Sequence, residues 1–340
     1  MFSSSHQASD YATMSAIAIV KTKGVPLIEH HSSSVSYLQF NLLQQFAEVI
    51  HGIFTRKGGY SNPPFAGLNT GRSINGDNIE HIIRNRLLAL QSLNLSETPA
   101  ITLWQVHGSE VVTYSSSDEW RTDWASPSHF ERNGRPKSIH KGDALITQER
   151  AITLALSFAD CVPVVFYHPI QHVIGIAHGG WRGTARGIAM TTIAEMQKQF
   201  GCQPQDIYAG IGPAIGDCCY EVSAEVRQIF TGPANFAEMP IAEHLREPVR
   251  ESAVFSEQRL RDRTSLRLNL QATNRKQLLM AGVPARQIEV MEICTSCNTD
   301  RFFSHRAENG NTGRFVVVIS LASNEGVGLK SDSQDVSSIP

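Results

Sequence analysis

Three apolar segments rich in Val, Ile, Leu and Phe follow one another between Ile152 and Ala177: Ile152–Phe158, Val162–Tyr167 and Val173–Ala177. Each has the length and β-branched content of a buried strand, and the gaps between them are too short for a crossover helix. That succession argues against a doubly wound parallel sheet. Further runs of this kind lie at Gly52–Thr55, Ile101–Val106, Glu110–Tyr114, Ala144–Thr147, Ile207–Ile211, Ile288–Ile293 and Phe315–Ile319. Helical patterns are fewer, at Ile79–Leu93, Ala185–Phe200, Ala224–Phe230 and Leu270–Ala281. Strands therefore outnumber helices. The expected fold class is α/β of the α+β kind, a single domain of mixed β-sheets flanked by helices.

Local signals refine this outline. In the second helix Ile188, Met190, Ile193, Met196 and Phe200 form a one-sided stripe, with Thr184 as its expected N-cap. Gly282 follows the last helix as its expected C-terminal stop. Residues 1–36, rich in Ser, His and Thr, are expected to be a flexible N-terminal extension, and residues 323–340 a disordered C-terminal tail. The stretch 37–322 between them offers no linker and is expected to be one catalytic domain. Ser115–Lys141 and Thr231–Thr264 read as insertions into it.

Composition narrows the function classes. With 41% hydrophobic and 18% charged residues the chain can bury a sizeable core. Its net charge of −2, with basic residues dispersed, gives no reason to expect nucleic acid or an acidic membrane as partner. No apolar run approaches the roughly 18 residues that span a bilayer, and the first residues lack a basic signal-peptide start. A cytoplasmic location is expected. The six cysteines (Cys161, Cys202, Cys218, Cys219, Cys294 and Cys297) are too sparse for a disulfide framework and are expected to be reduced thiols.

Several strand ends carry reactive side chains. Cys161 follows Ile152–Phe158 in Ala-Asp-Cys-Val-Pro, His178 follows Val173–Ala177 in His-Gly-Gly-Trp-Arg-Gly, and His107 ends Leu-Trp-Gln-Val-His-Gly. One thiolate and two imidazoles suit a zinc-type site with a fourth position left for reactant. The same residues also suit a metal-free arrangement, with Cys161 as nucleophile and either His107 or His178 as base. Asp160, next to Cys161, is a candidate for proton transfer or for orienting a ligand. Arg56, Arg72 and Arg182 sit in glycine-rich corners and are candidate anion ligands, as is Arg306 beside His305. Gly210–Gly216 reads as a tight loop that shapes a pocket wall. The lone Cys294-Thr-Ser-Cys297 pair is expected to be packing, since a structural zinc would require a second pair. Vicinal Cys218 and Cys219 could bind metal, yet as small buried residues they need no such role.

The runs taken together, in order, resemble one family. Gly52–Gly59, Gln105–Gly108, Asp143–Thr147, Ala159–Pro163, His178–Thr184, Gly212–Gly216, Cys219–Val222, Cys294–Thr295, Phe303–Arg306 and Thr312–Arg314 match the pattern of the laccase-domain family, described both as polyphenol oxidases and as purine nucleoside phosphorylases. The resemblance implies a cysteine-hydrolase-like laccase-domain fold and a zinc site, with copper as the alternative metal, made by His107, Cys161 and His178. It implies phosphorolysis of adenosine, inosine and S-methyl-5′-thioadenosine, together with deamination of adenosine. Cys161, Asp160 and His107 are then the expected catalytic residues, and Arg56, Asn69, Arg72, Asp143, Arg182 and Arg306 the expected substrate and phosphate ligands. The partners would be purine nucleosides and inorganic phosphate, and the protein a monomer or small homo-oligomer. Two positions depart from the family pattern: Gly179 stands where Ala is more usual, and Asn269 where an acid usually precedes the Asn274-Arg275 pair. No two of the thirteen histidines are spaced i, i+2, as the clustered imidazoles of a multicopper centre would be.

Overall fold

Two sheets form the centre of the computed structural model, which describes residues 16–20, 27–31, 35–71, 76–117, 124–125, 140–232 and 241–323. The first sheet contains β1 (Ala16–Val20), β2 (Leu27–His31), β3 (Val35–Gln39), β4 (Val49–Gly58), β5 (Ala100–Ile101), β8 (Thr153–Phe158) and β15 (Phe315–Leu321). Their spatial order is β1-β2-β3-β4-β15-β8-β5. The second contains β6 (Val111–Thr113), β7 (Ala144–Thr147), β9 (Val162–His168), β10 (Val173–Gly179), β11 (Tyr208–Ile211) and β14 (Ile288–Val290), ordered β14-β11-β9-β10-β7-β6. A separate hairpin joins β12 (Phe255–Arg259) to β13 (Thr264–Leu268). The helices are α1 (Asn41–Gln44), α2 (Ile79–Ser92), α3 (Trp181–Ala185), α4 (Ile188–Phe200), α5 (Ala224–Thr231), α6 (Glu243–Ser252) and α7 (Leu270–Met280).

Period-two alternation explains how these layers stack. In β15, Val317, Ile319 and Leu321 join the core shared with Leu145, Ile174 and Ile176 of the second sheet. Val316 and Val318 point the other way, onto Leu90 of α2. In β9, Val165 and Tyr167 enter the core between the sheets, while Val164 and Phe166 meet α4 residues such as Ile193 and Met196. Four layers result: helix, sheet, sheet, helix. Because both sheets are covered on both faces, their central strands are continuous apolar runs rather than alternating ones.

Both sheets are mixed, as expected. The pairs β5·β8, β6·β7 and β11·β14 are parallel and the remaining pairs antiparallel. Among the described residues no helix is long and apolar enough to cross a membrane.

Some local expectations change. The stretch read as an extension holds β1, β2 and the start of β3, with buried Glu29 accepting from Ser36 at 2.6 Å. The predicted helix over 185–200 breaks at Gly187, whose φ of 73° no side chain favours. Thr184 lies inside α3 instead of capping α4, and its hydroxyl accepts from Asn274 Nδ2 at 3.0 Å. The segment read as the second insertion forms α6 and the β12–β13 hairpin, with Val249 buried in the core under α4. Most of the first insertion and the C-terminal tail lie outside the described residues.

Candidate metal centre

Cys161 stands at the corner where the chain leaves the first sheet through β8 and enters the second through β9. The turn is made by Asp160 at φ 83°, a left-handed conformation unusual for a residue with a side chain. His178 lies near the end of β10, paired with Pro163 across the antiparallel ladder. His107 reaches the same point from a loop that leaves the sheet after β5, and its own φ is 58°. Strain at both positions is held by surrounding hydrogen bonds, as happens at functional sites. The ligand atoms of His107, Cys161 and His178 all lie within 4.8 Å of one another.

Asp143 organises this triangle. Its side chain, fully buried at the start of β7, accepts from His178 Nδ1 at 2.9 Å and from the backbone amides of Val106, His107 and Gly108 at 3.2, 2.9 and 2.6 Å. With Nδ1 occupied, Nε2 is the nitrogen of His178 free to ligate. Burial alone would raise the Asp143 carboxyl, but these donors hold it below the usual carboxylate range.

The charges couple strongly. Burial would push the Cys161 thiol up, yet the His178 charge and hydrogen bonds from both imidazoles bring it down to about 6. Burial would likewise lower His178, but the Cys161 thiolate and Asp143 raise it to about 9. Without a metal the pair is a thiolate and an imidazolium.

The cavity at the triangle is cut to fit by glycine. A Cβ on Gly180 would sit 3.0 Å from Cys161 Sγ and 3.1 Å from His107 Nδ1, and one on Gly183 would sit 2.7 Å from the Gly108 carbonyl. One soft thiolate, two imidazoles and a space that any side chain would fill are the donor set of a zinc-type ion, so the residues fit the metal that the sequence implies.

The other expected site residues divide into two groups. Asp160 accepts from Thr295 Oγ1 at 2.6 Å, Ser304 Oγ at 2.7 Å and the Arg306 amide at 2.6 Å, so it pins two distant loops beside Cys161. Arg306 and Arg182 are exposed at the same opening, their guanidinium groups over Tyr220 and Trp181 at 5.0 and 4.4 Å from the ring centroids. Arg56 is committed elsewhere. It pairs with Glu308 at 2.9 Å, donates to the Thr299 carbonyl at 2.8 Å and lies over Phe303, which leaves no free fork for phosphate. Asn69 is buried with its side chain spent on Asp77, Gly71 and Arg314. Arg72 lies outside the described residues.

Arg314 is a charged neighbour of Cys161 and Asp160 that sequence reasoning did not single out, although its Thr-Gly-Arg run was visible. Burial lowers its guanidinium, while the Cys161 thiolate and Asp160 act in the opposite sense, and it donates to the Thr312 and Gly313 carbonyls at 3.1 and 2.8 Å. Asn269, the departure noted above, caps α7 by accepting from the Ala272 amide at 2.9 Å. An aspartate would do the same, so this change leaves the site intact.

The family model for multi-copper polyphenol oxidoreductase laccase matches residues 50–322. The chain belongs to this laccase-domain family. Within the family it is 38% identical over 276 residues, 81% of this chain and 90% of the other, to the purine nucleoside phosphorylase YlmD of Geobacillus stearothermophilus. It is 31% identical over 284 residues, 84% and 96% of the two chains, to a purine nucleoside phosphorylase of Bacteroides thetaiotaomicron. The crystal structure of the Geobacillus YlmD superposes with a TM-score of 0.71 at 34% identity, covering 88% of this chain and all of that one. The laccase-domain fold expected from the motifs is the observed one.

Proposed function

We infer that this member of the laccase-domain family is a purine nucleoside phosphorylase that acts on adenosine, inosine and S-methyl-5′-thioadenosine, and that it also deaminates adenosine. The observation that carries the reading is the convergence of His107, Cys161 and His178 within 4.8 Å beside exposed arginines. The relatives' names supply the substrate class.

Phosphorolysis has two demands. A phosphate oxygen must attack ribose C1′, and the electron pair of the broken C1′–N9 bond must leave with the purine, giving ribose 1-phosphate and free base. Arg306 and Arg182 meet the first demand at the opening, with Arg314, whose charge is felt at Cys161 and Asp160, adding to the positive field. Their guanidinium groups rest on aromatic rings, which limits the freedom lost when an anion is held. Asp160 fixes the Arg306 backbone, and Asp143 fixes His178 and the His107 loop. Both carboxylates are therefore positioning residues in this account, rather than proton carriers. In deamination, water adds at C6 and ammonia departs. A zinc ion at His107, Cys161 and His178 would supply Lewis acidity and an activated water near neutral pH.

A rival reading is copper-dependent oxidation of phenols, the chemistry in the family model's description. It calls for several converging imidazoles. The two groups of metal-competent side chains among the described residues contain two imidazoles and five thiols. A metal-free hydrolase using the Cys161–His178 ion pair is the other alternative, and it would survive chelation. The test is to incubate the protein with adenosine, with and without phosphate, and to follow ribose 1-phosphate, adenine and inosine. Phosphate-dependent adenine release is the expected result, and no turnover of any purine nucleoside would overturn the reading.

A further inference from the structure

Parallel neighbours β11 and β14 end side by side, so the loops that follow them run together. The Ala214 amide donates to the Ile293 carbonyl at 3.2 Å and the Thr295 amide to the Ala214 carbonyl at 3.0 Å, which extends the pairing beyond the strands. The first loop then carries Cys218 and Cys219 and the second Cys294 and Cys297. Their four sulfurs lie within 4.8 Å of one another. Cys297 Sγ is 3.6 Å from Cys218 Sγ and 3.3 Å from Cys219 Sγ, although 79 and 78 residues separate them in the chain. The second pair that a structural metal needs is thus supplied by the fold.

Five details distinguish this cluster from incidental packing. Four sulfurs around zinc at about 2.3 Å define a tetrahedron with an edge of about 3.8 Å, close to the separations observed. The Gly216 amide points at Cys294 Sγ at 3.2 Å, a donor of the kind that steadies a metal thiolate. A Cβ at Gly216 would meet Cys218 Sγ and Cys294 Cβ at 3.2 Å, so glycine lets the backbone approach the sulfurs closely. Cys218 and Cys297 are exposed, which opens the cluster to an ion from solvent. Arg267 donates to the Cys218 carbonyl at 3.2 Å, setting a cation beside the negative charge that four thiolates and one divalent ion would carry.

We propose that Cys218, Cys219, Cys294 and Cys297 form a second metal site, a structural tetrathiolate zinc. Binding releases to solvent the protons still on the sulfurs and needs no oxidant. A disulfide would need one, and would leave two of the four thiols unused. The site's task follows from its neighbours. Tyr220, next to Cys219, lies under the Arg306 guanidinium, and the Glu221 carbonyl accepts from Arg306 at 3.0 Å. Thr295, next to Cys294, donates to Asp160. One ion at the four sulfurs would clamp the two loops that hold Arg306 and Asp160 at the catalytic opening.

The experiment uses the full chain carrying His107→Ala and Cys161→Ser, which disables the first site. This double variant, purified from zinc-supplemented medium without added chelator, should retain one equivalent of zinc, with four sulfur neighbours at about 2.3 Å by X-ray absorption. Should that variant not fold, the unaltered chain provides the same answer. It should bind two equivalents, of which Cys218→Ser/Cys297→Ser removes one. Absence of zinc from the double variant together with failure to take it up on titration, or a quantitative disulfide among these cysteines by mass spectrometry, overturns the proposal. A phosphorylase assay that fails while the tetrathiolate zinc is present would refute the proposed activity and leave this site standing.

Discussion

Asp143 Oδ1 accepts from His178 Nδ1 at 2.9 Å, and the same carboxylate accepts from the His107 backbone amide, so one buried acid orients the His178 imidazole and anchors the loop that carries His107. Asp143→Asn keeps the shape but weakens the acceptor. Metal affinity at the centre should fall about 10- to 100-fold, as titration with a competing chelator would measure. Asp143→Ala should also lower thermal stability, because each buried donor left unmet costs about 1–3 kcal/mol. Unchanged affinity in both variants would mean that the imidazoles orient themselves.

Gly180→Ala tests the tight cradle. Its new methyl would sit 3.0 Å from Cys161 Sγ and 3.1 Å from His107 Nδ1, so one ligand must move. The variant should fold, lose metal at the centre, and lose at least tenfold in kcat/KM for nucleoside. Retained metal and activity would show that the ligands have room to spare.

The arginines separate by what they touch. Arg306→Ala should raise KM for phosphate by tenfold or more, since one lost charge-assisted contact is worth about 1.5–3 kcal/mol. Arg56→Ala breaks the ion pair with Glu308 and should lower the melting temperature while leaving KM for phosphate near its original value. Kinetics with varied phosphate would distinguish the two, and the reverse pattern would reassign the anion site.

The metal-free protein has a defined pH behaviour. Cys161 is depressed to about 6, so its stabilisation is lost as pH falls through about 6. His178 is raised to about 9, so its contribution is lost as pH rises through about 9. The Cys161 gain grows with pH as the His178 gain shrinks, so the two slopes offset and stability of the apo form should stay nearly level between about 6.5 and 9. In the same window Cys161 is a thiolate and His178 carries a proton that a metal must displace. Calorimetry in buffers of different ionisation enthalpy should show that His178 proton released on binding. A stability profile that rises steadily through pH 9 would contradict the ion pair.

Much of this arrangement was legible in the chain itself. The buried strands are continuous Val- and Ile-rich runs, and His107, Cys161 and His178 each follow one, so their position at strand ends could be read directly. Asp143 was harder. Preceding a strand, it looks like any polar residue at a boundary, and its four acceptor contacts depend on where the 106–108 loop folds back. Arg56 and Arg306 look alike in sequence, both beside glycine- or aromatic-rich turns, and only the distant contacts with Glu308, the Thr299 carbonyl and Phe303 mark the first as structural. Helix α6 was hidden by its charge and by Pro248, because its burial rests on a single face through Val249. Each cysteine pair was visible as a possible metal ligand, but their meeting was not, because two parallel strands, not local spacing, bring the halves together.

The most direct test of the account is anomalous diffraction at the zinc edge from crystals grown without added metal. The account predicts a peak about 2.3 Å from Cys161 Sγ and about 2.0–2.1 Å from one ring nitrogen each of His107 and His178. No peak there, or a peak that touches only one of the three side chains, would contradict it.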